Sequence, residues 1–212
     1  MFAISLALSL YSSISAQAIP AIGQTVTVQE TSVFGEVVHI SSPGFYTGGA
    51  WAGIYNLKVD GNATASFCID PWQFDPSSPS LYTVTALANA PDNNPPGAMG
   101  AANAVELERL WTYYFHPGMS ANQAKDFQLA TWLLVGGPNF SITDATPAGY
   151  SSWNDWLTAY ETPAAGATAA HLVALSSPSQ QDYLAQVPDT GATLGLLGMA
   201  FTALAMVRRK LA

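Results

Sequence analysis

Residues 54–69, IYNLKVDGNATASFCI, set two β-type runs around Asp60-Gly61-Asn62, a turn signal that brings the chain back on itself as a hairpin. The return strand carries Cys68 close to its end. Upstream, QTVTVQE (24–30) alternates with period two. Residues 32–40 continue in β-branched residues until Pro43-Gly44 breaks the run. The first third of the chain therefore predicts a sheet.

Downstream the pattern changes. Residues 70–96 are punctuated by Asp70-Pro71, Asp75-Pro76, Ser78-Pro79 and Pro95-Pro96 and predict loop, interrupted by a strand at 81–85. Leu107, Leu110, Trp111 and Tyr114 then fall on one helical face within 99–115, which His116-Pro117-Gly118 stops. Ser120 with Gln123 three residues on is a capping box and opens a helix over 121–135. A shorter helix is expected at 152–160, and strands resume at 171–176 and 181–186. The expected fold class is α+β: a β-rich barrel or sandwich with an inserted helical subdomain.

The composition locates the remaining parts. Of 212 residues, 49% are hydrophobic and 9% charged, with a net charge of −8. Arg208, Arg209 and Lys210 hold half of the six basic side chains, so the body is strongly acidic and repels phosphate backbones. No nucleic-acid partner is expected. The single cysteine excludes an intramolecular disulfide and a Cys-based zinc cluster, and His39, His116 and His171 are scattered singly, so no metal or cofactor is implied. Residues 1–18, an apolar stretch ending in Ala16-Gln17-Ala18, read as a secretory signal peptide. Residues 192–207 lack any charge and precede the basic tail 208–210, the pattern of a membrane helix held at its cytoplasmic end. At about 1.5 Å per residue it spans roughly 24 Å, a little short of the hydrocarbon core.

Before that segment stand Val187, Pro188, Asp189, Thr190 and Gly191. Together with the apolar run and the basic tail they resemble the V-P-D-x-G variant of the PEP-CTERM sorting signals. The resemblance implies an exosortase-type membrane enzyme that cuts near the motif, transient anchoring in the inner membrane, and delivery to the envelope, outer surface or extracellular matrix. The expected exported body is 19–186, followed by a sorting signal at 187–212.

Within that body one amide and one thiol demand an explanation. FQLATWLL (127–134) is apolar on nearly every face, so its helix is buried, and Gln128 needs partners for its carboxamide. Neighbouring backbone or one wet helix edge would satisfy it. Cys68, unpaired in an exported chain, is by default a small buried hydrophobe. Phe67-Cys68-Ile69-Asp70 and Gln128-Leu129-Ala130-Thr131-Trp132 together resemble the paired motifs of bacterial thioester domains, which are adhesion modules rather than enzymes. The resemblance implies that Cys68 supplies the sulfur and Gln128 the acyl carbon of an internal thioester, which a nucleophile on a surface protein or polysaccharide attacks. Phe67, Trp72, Trp111 and Trp132 would keep it from water. Phe127 stands where that motif often has Thr, and the closing strand Gln181-Asp182-Tyr183-Leu184 bears a looser likeness to the same family.

Two other readings stay open. Cys68 with His116, oriented by Asp70 or Asn122, would make a hydrolase. The six tryptophans and nine tyrosines would suit a non-covalent sugar-binding matrix protein.

Overall fold

The computed structural model describes residues 21–187 other than 77 and 94. The expected signal peptide, the membrane segment, the basic tail and sorting residues 188–191 lie outside them. Among the described residues no helix is long and apolar enough to cross a membrane.

The described residues fold as a seven-stranded curled sheet with three α-helices. The long strand β1 (Thr25–Ser42) pairs antiparallel with β2 (Tyr46–Val59) along almost its whole length. The two runs expected at 24–30 and 32–40 are thus one strand, and a bulge between Glu30 and Ser32 keeps both halves in the sheet. The Asp60-Gly61 turn has φ of 48° and 83°, the doubly positive geometry of a type I′ hairpin, and it joins β2 to β3 (Asn62–Ser66). Strand β4 (Ser80–Ala86) pairs with the first half of β1, and the short β5 (Ser141–Ile142) with the second. Strands β6 (Leu172–Ser177) and β7 (Gln180–Gln186) complete the order β3-β2-β1-β4-β6-β7, with β5 beside β1.

The return strand departs from its expected end at residue 69. Beyond Ser66 the chain leaves β2 and crosses to β7: the Leu184 amide donates to the Phe67 carbonyl and the Ile69 amide to the Asp182 carbonyl, both at 2.9 Å. Cys68 lies opposite Tyr183 in this bridge. Curling brings the two sheet edges together, and Cys68 sits in the seam. One curled sheet therefore forms in place of a two-sheet sandwich.

Helices α1 (Gly100–Tyr114), α2 (Ala121–Gly136) and α3 (Trp153–Glu161) lie between β4 and β6 in sequence. Both halves of the capping box at Ser120 and Gln123 are made. The helices are not a subdomain apart: α2 packs against β1 and β2 and continues the core of the sheet. Phe127 to Trp132 are all buried, as an apolar helix surface demands.

Candidate functional site

Helix α2 and the seam bring Cys68 and Gln128 together. Both are completely buried. The Cys68 amide donates to Gln128 Oε1 at 2.9 Å, and Gln128 Nε2 donates to the Cys68 carbonyl at 2.7 Å. The carboxamide thus docks on the backbone of this cysteine and satisfies both of its orphan groups. Gln128 is not at a wet edge.

Three N–H groups point at the sulfur. Trp132 Nε1 donates to Cys68 Sγ at 3.2 Å, Gln181 Nε2 at 2.6 Å and the Asp70 amide at 3.3 Å. Burial pushes the Cys68 thiol well up, while the Trp132 and Asp70 N–H groups pull the other way. Burial favours the neutral sulfur, whose lone pairs accept from all three donors. Gln181, on β7, went unassigned from sequence, because a polar residue beside the Pro178-Ser179 turn reads as ordinary strand polarity.

The four expected shielding residues divide. Trp132 touches the sulfur itself. Phe67 turns its ring to the opposite side, 4.4 Å between centroids from Phe127 and 5.9 Å from Trp111, so Trp111 belongs to an aromatic layer behind the cysteine. Trp72 packs on Phe140 at 6.0 Å, and its buried Nε1 has no partner. His116 is exposed and its Nδ1 lies 3.3 Å from the Pro117 carbonyl. It makes no contact with the buried sulfur, so the residues present do not form a Cys-His pair there.

Two buried carboxylates flank the niche. Asp70 Oδ1 accepts from the Trp72 amide at 2.9 Å and Asn93 Nδ2 at 3.2 Å, while Oδ2 is unpartnered; burial pushes this group up to about 6. Asp182 accepts from Ser176 Oγ at 2.8 Å and the Ser177 amide at 2.7 Å, and burial pushes it up to about 8. Between the ordinary carboxylate range and about 8 the folded chain therefore holds more protons at Asp182 than the unfolded chain does, so stability falls as pH rises through that window. Asp182→Asn is expected to flatten this loss, measured as urea midpoints at the two ends of the window. An unchanged pH slope would show that Asp182 does not carry it.

A cavity of about 540 Å³ opens beside the niche. Glu30, Tyr55, Phe74 and Asp75 line it, and so do Trp132 and Gln181, the two side chains that touch the sulfur. Phe74 and Trp51 on its rim are 66% and 52% exposed.

No curated protein matches the chain in sequence. Among solved structures it is similar to the thioester domain of the Staphylococcus aureus TIE protein, at 13% identity and a TM-score of 0.41, covering 67% of this chain and 53% of that one. The chain spans about half the length of that relative. Residues 186–211 match the VPDSG-CTERM motif. These residues are a sorting signal of the PEP-CTERM type, which implies processing by a membrane sorting enzyme and makes this an exported, surface-directed chain.

Proposed function

We propose that residues 19–186 form a surface attachment module in which Cys68 and Gln128 condense to an internal thioester, a reactive bond that couples the module to a nucleophile on a partner. The observation that carries this reading is the docking of the Gln128 carboxamide on the Cys68 backbone in a niche where three N–H groups meet the sulfur. Sulfur attacks the amide carbon, the C–N bond breaks, and the thiol proton leaves with nitrogen as ammonia. Holding the two groups in one dry site replaces a bimolecular encounter, an advantage that reaches effective molarities of about 10⁵–10⁸ M in oriented systems. When a partner nucleophile later displaces the sulfur, the same three donors receive the departing thiolate. An exosortase-type enzyme would process the C-terminal signal, which anchors the module transiently in the inner membrane before its release to the envelope or extracellular matrix.

Intact mass of the purified chain tests this directly. The expected value is lighter than calculated by one ammonia, with no titratable thiol and a methylamine adduct on Gln128. Cys68→Ala is expected to restore full mass and abolish the adduct. Full mass with a free thiol in the unaltered chain would refute the bond. The exposed rings of Phe74 and Trp51 favour a second reading, reversible stacking on sugar rings of an exopolysaccharide, which would survive Cys68→Ala.

A further inference from the structure

The groove beside the niche contains a carboxylate linked to the sulfur by two intervening side chains. Glu30 shares the inward face of β1 with Val26 and Val28, just before the bulge. Tyr183 donates its hydroxyl at 3.3 Å to Glu30 Oε2 and lies 3.2 Å from Gln181 Oε1. Gln181 Nε2 in turn donates to Cys68 Sγ. Glu30, Gln181 and Trp132 all line the same cavity, whereas the buried Asp70 and Asp182 do not.

We propose that Glu30 is the general base of this site, accepting the proton that an incoming amine loses as it bonds to the Gln128 acyl carbon. This rests on the thioester reading. The nitrogen–carbon bond forms as the carbon–sulfur bond breaks and its electron pair passes to Sγ. The proton from nitrogen goes to the Glu30 carboxylate and then to water in the groove, and the thiolate takes one up from the same water to end as the thiol.

The surroundings suit the role. Tyr183 of β7 and Tyr55 of β2 face Glu30, and burial pushes both phenols well up, so both stay neutral. Asp75, from the loop after the seam, is the charged neighbour. Burial first, and then the Asp75 charge, push Glu30 up to about 7, where a carboxylate is basic enough to take a proton and still ionises near neutrality. Among the described residues, no lysine or arginine lines the groove to compete for it.

The test compares the purified full chain with Glu30→Gln, following methylamine addition by mass from about pH 5 to about pH 9 and expressing rates per unprotonated amine. Both proteins are expected to be lighter by one ammonia. The unaltered chain should accelerate through an inflection near 7, and Glu30→Gln should react about a hundredfold slower without that inflection. A variant that carries the bond and reacts at the unaltered rate with the same profile overturns the role of Glu30 and leaves the thioester standing. Full mass in the unaltered chain removes both. Should Glu30→Gln fail to form the bond, the unaltered profile decides: a rise near neutrality supports the base, and a flat profile refutes it.

Discussion

On a Cys68→Ala background, where Gln128 keeps its carboxamide nitrogen, Gln128→Ala is expected to destabilise the fold by about 2–6 kcal/mol, because it orphans the amide and carbonyl of residue 68 together, at roughly 1–3 kcal/mol for each buried group. Against a total of about 5–15 kcal/mol for a domain, that brings the chain near its unfolding threshold. Gln128→Glu on the same background separates hydrogen bonding from volume. A protonated carboxyl offers one acceptor and one O–H donor and keeps both bonds, whereas an ionised one has no donor for the carbonyl of residue 68. The Glu variant should therefore be close to the parent in acid and fall away as pH rises. Urea midpoints followed by circular dichroism read both effects. A shift under about 1 kcal/mol for Gln128→Ala would mean that the carboxamide contributes little to folding.

The second large effect is expected at the crossing of β1 and β2. Gly35 and Gly53 stand opposite each other in the register. A Cβ on Gly35 would fall 2.0 Å from the Ala52 carbonyl oxygen and 2.7 Å from Gly53 Cα, and one on Gly53 would fall 2.2 Å from the Phe34 carbonyl oxygen. The obstructing atoms are backbone, with no rotamer to relieve them, so the hairpin must open. Gly35→Ala is expected to cost more than about 4 kcal/mol and to yield insoluble or unfolded protein. Gly166→Ala, where an added Cβ meets nothing within 4 Å, should stay within about 0.5 kcal/mol of the parent. Soluble Gly35→Ala protein with a parental midpoint would contradict the close approach.

Local signals carried most of the elements. The Asp60-Gly61 turn, the Ser120 cap and the His116-Pro117-Gly118 stop are short-range chemistry, and each stands within a residue or two of its expected place. The first half of β2 was not legible, because Gly48, Gly49 and Gly53 dilute its β-pattern; they are there for the sheet's tight crossing and bend. The seam was invisible too, since the exchange of β2 for β7 after Ser66 depends on a strand more than a hundred residues away. The candidate site follows the same division. Cys68, Gln128 and Trp132 sit in compact motifs. Gln181 meets the sulfur, and Tyr183 and Glu30 link to Gln181, only through the curl of the sheet, and no spacing in the sequence announces it.

The six consecutive buried residues from Phe127 to Trp132 leave α2 without a fraying edge at its middle. Backbone amides there should exchange hydrogen for deuterium only when the entire domain opens, as for the slowest core segments of other proteins. The same limit governs water: an activated acyl group at Gln128 would have a shelf life set by how rarely the domain opens.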